Sequence, residues 1–568
     1  MWQPIEILGN NDSTAYSHRK GPYHFPEHGP NTRGENGVYL CRKPGCRRCV
    51  ISPEASTIHL DCFDVVAQQC KLDDYLDHLW IATAWRTPWR QAPNLRLEEP
   101  AITPDLSRAD DLGIPRMRVL PPEILGMVYD NSATSLFWRY SGALDLARRL
   151  STASTASTAS TACSNELLSV PLSTVSAWKR SGPPAFSKTA RQLPIFRLTI
   201  DSHGIREIER LPERPRVQRT RTDSLAFVIM EQCYLQGVTA HFKFGSLRLE
   251  LPETCHGLQV WDTPTPPTIE QCTFYPADIT SSTNFRTIEL RKTTGITLFF
   301  CLGSVYAIHA HTKAAPCAEV TYRCLPSRRQ ESITWVYMPI PQNDSIVAFG
   351  TQMALSGSNF EVSTCLLFRL RLAGDIAVGL KSLKGTRDLL LSKSPSLRLI
   401  YNTRELEPVS AIGACVEEED ETGPIGRFCH PIVGNPSFQD AYFSLAPLER
   451  VSRIRIFNNK ETGFCMGILL DYENGAQRSL GQCRIDIDPI EPCSKPVRLC
   501  FLRRTYFRPR TILQLQATMV ESTNTCNHSH DEEGWLCFAM QGDLEFWFSS
   551  EETMLTAIVE RVHCRLRS

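Results

Sequence analysis

Hydrophobic positions follow a helical spacing near the amino terminus and a strand spacing over most of the remaining chain. Apolar side chains recur every three or four residues at 63–80 and at 120–150, which predicts amphipathic helices. From residue 191 onward they alternate or run together over strand lengths, as at Phe196–Ile200 and Val451–Phe457, with turn-forming residues between the runs. Short strands with few intervening helices favour antiparallel sheets. We therefore predict an α+β, multidomain chain whose larger part is β.

Changes in this pattern divide the chain into predicted segments. The amino-terminal residues are polar and rich in Gly, Pro, His and Asn, and four Ser-Thr-Ala triplets at 151–162 are too small and polar to build a core. In order, the predicted segments are an irregular lead-in at 1–40, a Cys/His-rich helical module at 41–110, a helical hairpin at 111–150, a low-complexity linker or loop at 151–190, a β-rich domain at 191–416, an acidic loop at 417–424 and a second β-rich domain at 425–568. Each β-rich domain is expected to be an antiparallel all-β sandwich, or a prism-like or barrel-like form.

Composition argues for an intracellular protein without a nucleic-acid or membrane partner. The 61 basic and 61 acidic residues cancel, so no net field attracts nucleic acid or an anionic membrane. The amino terminus lacks the apolar core of a signal peptide, and the longest apolar runs fall far short of the roughly 20 residues that span a bilayer. We expect a protein of the cytoplasm or nucleus. Its 22 cysteines are then expected to be reduced.

Cysteine and histidine residues cluster at the start of the predicted helical module. Two residues separate Cys46 from Cys49, and two separate His59 from Cys62. This spacing lets each pair reach one ion, and Zn²⁺ favours four such ligands in a closed tetrahedral site. We therefore predict a structural zinc that staples the helical module, with Cys41 as an alternate ligand. The alternative is that these are simply reduced cysteines in a cysteine-rich chain.

A second group of ligand-type residues lies near the carboxyl terminus, at Cys526, His528 and His530. Their one-residue gaps suit a metal site poorly, and the sequence shows no matching second pair. We therefore do not expect a second metal site there.

The predicted helical hairpin begins with Leu120-Pro-Pro-Glu-Ile-Leu. Prolines at a helix start, with Glu123 in the first turn, are typical of a helix amino terminus. A second helix runs from Ser135 to Leu150 and opens with Leu136-Phe-Trp-Arg. This hairpin resembles the opening of an F-box, the short helical motif by which adaptor proteins dock the Skp1 subunit of a cullin ubiquitin ligase.

The wider arrangement resembles F-box-like proteins of filamentous fungi, which combine a cysteine-rich amino terminus, a TAWRTPWR-like segment and LPPEI with long β-rich regions. The resemblance implies that the hairpin binds a protein partner, namely Skp1. The residues that it assigns to partner binding are Leu120, Pro121, Glu123, Ile124, Leu136 and Trp138. The same pattern also fits a plain helical hairpin that packs on the Cys/His-rich module.

Recognisable catalytic motifs are absent from the sequence. It contains no phosphate-binding glycine loop, HExxH helix or nucleophile elbow, and the isolated His241, His309 and His311 indicate no catalytic pair. We therefore expect a non-enzymatic intracellular interaction protein. The F-box resemblance implies, more specifically, a substrate adaptor for a cullin ubiquitin ligase whose β-domains recognise a target.

A different role follows from a second resemblance. Residues 451–484 resemble one repeat of jacalin-like β-prism lectins, in which a strand ending in a Tyr-x-x-Gly turn precedes a Leu-Gly strand. This resemblance implies that the carboxyl-terminal β-domain binds a carbohydrate or another ligand. No match to the sugar-binding loop is found, so no site residues are assigned.

Overall fold

The computed structural model divides the chain into two compact units. It describes residues 2–11, 14–24, 32–33, 39–40, 55–70, 73, 75–89, 97, 113–132, 135–156, 166–187, 193–215, 224–252, 258–276, 279, 284–354, 365–380, 386–393, 397–403, 407–416, 426–429, 438, 440–507 and 514–558. Unit 1 comprises Met1–Pro266 and Thr280–Phe285, and unit 2 comprises Pro267–Ile279 and Arg286–Ser568. Most described elements are strands of antiparallel sheets, which confirms the predicted predominance of β-structure.

Longer helices occur in unit 1 and short ones in unit 2. The α-helices are α1 Leu60–Gln69, α2 Tyr75–Ala84, α3 Pro122–Ser132, α4 Leu136–Ala156, α5 Glu319–Arg323 and α6 Ser327–Gln330. Short 3₁₀ helices lie at Pro115–Val119, Leu172–Thr174, Gln232–Leu235, Ile269–Gln271 and Leu290–Lys292. None of these helices combines the length and the hydropathy needed to cross a bilayer.

The other regular elements of the described chain are strands. The first are β1 Trp2–Asn11, β2 Thr14–His24, β3 Thr32–Arg33, β4 Tyr39–Leu40, β5 Ala55–His59, β6 Leu168–Pro171, β7 Val175–Lys179, β8 Ala185–Phe186, β9 Ile195–Asp201, β10 Gly204–Leu211, β11 Ala226–Glu231, β12 Thr239–Lys243, β13 Ser246–Glu250, β14 Val260–Trp261, β15 Cys272–Tyr275, β16 Asn284–Glu289, β17 Gly295–Cys301 and β18 Ser304–His311. The others are β19 Thr334–Pro339, β20 Ile346–Ala354, β21 Cys365–Leu370, β22 Gly374–Gly379, β23 Thr386–Lys393, β24 Leu397–Asn402, β25 Ile412–Val416, β26 Tyr442–Pro447, β27 Val451–Asn458, β28 Cys465–Tyr472, β29 Gln477–Gly481, β30 Ile490–Ser494, β31 Arg498–Phe507, β32 Gln514–Thr523, β33 Leu536–Ala539, β34 Asp543–Phe548 and β35 Thr553–Ile558.

Helices α1, α2 and α4 share an apolar core in unit 1. Its members on α1 and α2 recur at the spacing that predicted these helices, and the buried set is Cys62, Phe63, Val66, Cys70, Leu79, Trp80, Ile81, Ala84, Trp85, Ala143, Ala147 and Leu150. Asp61 on α1 forms an ion pair with Arg139 on α4 and accepts a hydrogen bond from the Tyr140 hydroxyl at 3.0 Å. Charged and apolar contacts therefore both hold α1 against α4.

The predicted irregular lead-in at 1–40 is wrong in part, because it contains β1 and β2. Strand β1 pairs antiparallel with β2 on one side and with β5 on the other. A two-stranded hairpin is marginal by itself, and a third strand stabilises it. That third strand comes from a later part of the chain, so the local polar pattern could not reveal it.

The predicted linker at 151–190 is shorter than expected at both ends. Helix α4 continues into the Ser-Thr-Ala repeat as far as Ala156, and β6, β7 and β8 already occupy parts of 168–186. Trp178 on β7 is buried, and its indole N–H donates to the Gly182 carbonyl at 3.0 Å. These strands are too short to show alternation. They form because β6 pairs with β12 and β7 pairs with β10.

Besides the β2-β1-β5 sheet and the β3-β4 pair, unit 1 contains two further groups of strands. Their orders are β14-β11-β9-β10-β7-β8 and β13-β12-β6. The apolar faces of these strands contribute to one core, which includes Leu172, Val175, Trp178, Phe196, Leu198, Ile200, Val228, Ala240, Phe242, Leu247 and Leu249.

The strands of unit 2 surround one large core that crosses the predicted boundary between two β-rich domains. Their orders are β15-β25-β24, β18-β17-β19, β22-β21-β20-β23, β26-β34-β35, β29-β28-β27-β30 and β32-β31-β33. The core contains Leu298 and Phe349, which precede the acidic loop in sequence, together with Ile454 and Phe546, which follow it. The two units therefore do not divide at 417–424, and that loop itself lies outside the described residues.

Candidate metal centre

Three strands of unit 2 place Glu521, Cys500 and Cys537 in a row. Cys500 on β31 lies directly opposite Glu521 on β32 and directly opposite Cys537 on β33. Residues directly opposite each other in an antiparallel pair project to the same face of the sheet. The strand register therefore brings two thiols and a carboxylate together, although their positions in the sequence are far apart.

Two histidines from the segment between β32 and β33 join the thiols. His528 Nε2 lies 3.0 Å from Cys500 Sγ and 3.2 Å from Cys537 Sγ. His530 Nε2 lies 3.2 Å from the same Cys537 Sγ. The backbone before them turns sharply, and Thr525 Oγ1 donates to the Asn527 carbonyl at 3.2 Å. Two sulfur and two nitrogen atoms thus converge from two strands and one loop.

This geometry fits a four-coordinate metal ion. The four ligand atoms all lie within 4.8 Å of one another. Tetrahedral zinc, with bonds of about 2.3 Å to sulfur and about 2.0 Å to nitrogen, separates its ligand atoms by roughly 3.3–3.8 Å. The observed sulfur–nitrogen distances of 3.0–3.2 Å are within a few tenths of an ångström of that range. The Cys₂His₂ group could therefore hold a metal ion after a small expansion.

Glu521 and Trp535 orient the His530 ring. His530 Nδ1 is 3.0 Å from Glu521 Oε2, and the indole of Trp535 stacks on the imidazole with 4.4 Å between ring centroids and 8° between planes. A carboxylate that accepts from one histidine nitrogen fixes the proton there and leaves the other nitrogen as a metal ligand. Nε2, which faces Cys537, is thereby the atom of His530 that would bind a metal ion.

The Cys500 thiol is held in its protonated form while no metal is bound. Burial raises the pKa of Cys500 to about 12, helped by the hydrogen bond with the Cys537 thiol and by the charge that Cys537 would carry. The nearby Arg498 acts in the opposite direction. Metal ions bind cysteine as thiolate, so binding here releases protons.

The sequence argument against a metal site near the carboxyl terminus relied on the lack of a second ligand pair, and the structure supplies that pair. It considered His528 and His530 together with Cys526, and it found no second pair nearby. The second pair is Cys500 and Cys537, each in a strand, and Cys526 is exposed and outside the group. Local spacing could not find the site because β31 and β33 bring the cysteines together only through sheet register.

The predicted zinc ligands of the amino-terminal module remain a prediction. Cys46, Cys49 and the alternate Cys41 lie outside the described residues. Cys62 on α1 is buried in the apolar core that α1 shares with α2 and α4. Burial and the charge of Asp61 raise the pKa of its thiol to about 11. Burial and the positive charge of Arg139 lower the pKa of His59, which keeps its imidazole neutral, as a metal ligand must be.

The predicted partner-binding residues divide into an exposed set and one buried residue. Pro121 and Glu123 are exposed, as are Ile124 and Leu136 at 41% and 54% of their surface, and Leu120 is half-buried. Trp138 is only 2% exposed. It packs edge-on against Tyr129 of α3, and its indole N–H donates to Ser132 Oγ at 2.9 Å.

Trp138 therefore offers almost no exposed surface to a partner, and its assignment to partner binding stays a prediction. The residue joins α3 to α4, since its ring and its polar nitrogen both contact α3. Aromatic residues next to a helix turn serve either role, and only the packing tells them apart.

His309 and His311 both form hydrogen bonds with other residues of unit 2. His311 Nδ1 donates to the Pro316 carbonyl at 2.6 Å, and its Nε2 lies 2.7 Å from Thr297 Oγ1. His309 contacts Thr321 Oγ1 at 2.8 Å. These buried side chains have structural partners.

Comparison with known proteins adds no relationship. No protein-family model matches the chain, and no curated protein matches it.

Proposed function

We propose that this chain binds one zinc ion at Cys500, His528, His530 and Cys537, and that the ion has a structural role. The observation that carries the proposal is the convergence of two thiols and two imidazoles within 4.8 Å. Two sulfur and two nitrogen ligands in a tetrahedral set are typical of zinc, whereas calcium and magnesium prefer oxygen. Four protein ligands fill the coordination shell, so no position is left for a substrate.

The ion would fasten the segment between β32 and β33 to the sheet. That segment is largely exposed, and its contacts with the sheet include those of His528 and His530. A structural zinc contributes folding free energy directly. Its loss is therefore expected to release this segment and the short strand β33, which pairs with β31.

Metal analysis of the purified full-length chain tests the proposal. We expect about one zinc per chain at this site, lost in Cys537→Ser and His528→Ala and retained in Cys526→Ser, the matched control two residues from His528. A Cys62→Ser variant separates this ion from any zinc held by the amino-terminal module. Zinc content that is unchanged in both ligand variants would overturn the assignment.

Protein binding through the helical hairpin is a second candidate function, and the exposure of α3 favours it. The chain would then be a non-enzymatic F-box-like adaptor, with Skp1 as its partner and β-structure that recognises a target. Ile124, Met127 and Val128 lie at helical spacing on α3 and are 41%, 60% and 36% exposed, and Val119 just before the helix is 80% exposed. A contiguous exposed apolar stripe of this kind is typical of a protein interface.

Co-purification with Skp1 tests this second function. Since Ile124 and Met127 are exposed, the double variant Ile124→Asp/Met127→Asp should leave the fold intact and abolish association. The matched control is Val320→Asp on α5, an apolar residue that is 62% exposed and far from the hairpin in sequence. No association of the unsubstituted chain with Skp1 would remove the ubiquitin-ligase role.

The jacalin-like alternative also stays a prediction. The resembling segment forms the antiparallel strands β27, β28 and β29. A glycan array probed with the full-length chain checks it, and absence of binding would eliminate carbohydrate recognition.

A further inference from the structure

A second pair of cysteines lies directly opposite each other in unit 2. Cys272 on β15 is the register partner of Cys415 on β25, and the neighbouring pairs from Thr273 to Tyr275 continue the ladder without a bulge. Neither cysteine forms a disulfide in this structure. This is the same cross-strand arrangement that brings Cys500 and Cys537 together, but the surroundings differ.

The strand geometry allows a bond between the two sulfur atoms. Directly opposite residues of antiparallel strands have Cα atoms about 4.5–5.5 Å apart, and disulfides span Cα separations of about 4.4–6.8 Å. The two thiols already interact through a hydrogen bond. Cys272 Sγ also donates to the Thr268 carbonyl at 3.2 Å. Both side chains therefore project to one face, and no change of strand register is needed to join them.

A metal ion does not explain this pair. Within the described residues, the group of three or more clustered ligand side chains is the one at Cys500, and neither Cys272 nor Cys415 belongs to such a group. Two thiols without further ligands leave half of a tetrahedral shell unfilled. The chemistry left to this pair of side chains is therefore the oxidation and reduction of two neighbouring thiols.

The neighbouring charge and the exposure define how the pair would react. Arg398 on β24 lies directly opposite Cys415, and its positive charge favours the thiolate form of Cys272. The Cys415 hydrogen bond and burial act more strongly in the opposite direction and raise the pKa of Cys272. Cys272 is partly accessible, whereas Cys415 is 5% exposed. An oxidant from solvent therefore meets Cys272 first, and the reaction is slower than at a low-pKa thiol.

We infer that Cys272 and Cys415 form a reversible cross-strand disulfide when the chain meets a peroxide. The Cys272 sulfur attacks one peroxide oxygen and the O–O bond breaks, which gives a sulfenic acid and one water. The Cys415 sulfur then attacks the Cys272 sulfur, the S–O bond breaks, and a second water leaves. Two thiols lose two electrons and two protons, and hydrogen peroxide becomes two waters. A small thiol reductant reverses the bond by exchange.

The disulfide would fix an edge strand. Among the described strands, β15 pairs with β25 alone and has only four residues. A covalent bond at Cys272 would hold β15 against β25 even when its backbone hydrogen bonds open. Because the two cysteines are far apart in sequence, the bond also restricts the unfolded chain strongly.

Peptide mapping of the full-length chain tests the inference. The chain is treated with hydrogen peroxide, remaining thiols are alkylated, and the monomeric fraction is digested without reductant. We expect one linked peptide pair that contains Cys272 and Cys415, absent after reduction and absent from Cys272→Ser. The matched control is Cys301→Ser, a buried strand cysteine opposite Ser304, which should keep the link.

Thermal unfolding provides an independent readout. The change in unfolding midpoint on oxidation should be more positive for the unsubstituted chain than for Cys272→Ser treated in the same way. Alkylation of both cysteines at full yield after peroxide treatment and denaturation would overturn the inference. Oxidation of Cys272 to sulfinic acid without a linked peptide would overturn it equally.

Discussion

At the scale of single residues, Glu521 is the side chain on which the proposed metal centre would depend beyond its four ligands. Its carboxylate accepts from Nδ1 of His530 and so directs Nε2 toward the metal position. Replacement of such a partner lowers metal affinity by about 10–100-fold. We predict a loss of this size in Glu521→Ala and a smaller loss in Glu521→Gln, whose amide oxygen still accepts a hydrogen bond. Competition against a chromophoric zinc chelator measures both.

The matched control for Glu521 is Glu473→Gln, which changes an exposed carboxylate of the same unit and should leave the zinc affinity unchanged. Equal affinities for Glu521→Ala and the unsubstituted chain would show that the His530 ring is oriented by Trp535 alone.

Asp201 of unit 1 gives a prediction on pH. Burial alone would raise its pKa, but Arg180 donates to both carboxylate oxygens at 2.7 and 2.8 Å and the His203 N–H donates at 2.8 Å, which together bring the pKa below 3.8. A carboxyl group whose pKa is lower in the folded than in the unfolded chain stabilises the fold at pH values above its unfolded-state pKa. This stability is lost as the pH falls through the pKa of the folded chain. Asp201→Asn should therefore reduce the free energy of unfolding at neutral pH by about 1.5–3 kcal/mol.

Denaturant titrations of Asp201→Asn and of the unsubstituted chain at neutral and at acidic pH measure this difference. The gap should narrow as the pH falls below 3.8, because the carboxylate of the unsubstituted chain is then protonated. A gap that is independent of pH would mean that the ion pair with Arg180 contributes no net stability.

At the scale of elements, the hairpin of α3 and α4 contains a buried residue that joins its helices and exposed apolar residues that do not. Trp138 joins the two helices through Tyr129 and Ser132, whereas Ile124 and Met127 face outward. We predict that Trp138→Ala destabilises the hairpin by about 3–5 kcal/mol, as expected for a buried aromatic truncated to alanine. Trp138→Phe should lose less, because it keeps the ring and loses the hydrogen bond to Ser132.

Hydrogen exchange of the amides in α3 reports on the Trp138 variants without reference to any partner. Faster exchange in Trp138→Ala, with unchanged exchange in Ile124→Asp/Met127→Asp, is the expected result. The reverse order would support the assignment of Trp138 to partner binding.

Elements with a strong local signal could be predicted from the sequence. Helices α1 and α2 follow from the spacing of Phe63, Val66 and Leu79, and strand β27 follows from its alternation. Strands β1 and β2 could not be predicted, because their third partner is the distant β5. The Cys₂His₂ group could not be predicted for the same physical reason, since Cys500 and Cys537 meet through strand register and not through sequence spacing.

At the scale of the whole molecule, hydrogen bonds within unit 2 join residues that precede the acidic loop in sequence to residues that follow it. The sequence analysis predicted a domain boundary at that loop. The backbone N–H of Gly303 donates to the Tyr442 hydroxyl at 3.2 Å. The backbone N–H of Trp335 donates to the side-chain oxygen of Gln482 at 2.9 Å. Nε of the Arg478 guanidinium donates to the Ala373 carbonyl at 3.0 Å. A chain cut at the loop would leave these polar groups without their partners, and a buried group that loses its partner costs about 1–3 kcal/mol.

The predicted second domain at 425–568 should therefore not fold by itself. Its share of the core, including Ile454 and Phe546, packs with residues that precede the loop, such as Leu298 and Phe349. We predict that residues 425–568 expressed alone show no cooperative thermal transition by circular dichroism, whereas residues 267–568, which contain all of unit 2, do. The longer fragment is the matched control. Both fragments contain the four candidate metal ligands, and only the longer one also contains the core residues that precede the loop. A cooperative transition in residues 425–568 would instead mean that zinc and the strands from β26 to β35 suffice to specify a domain.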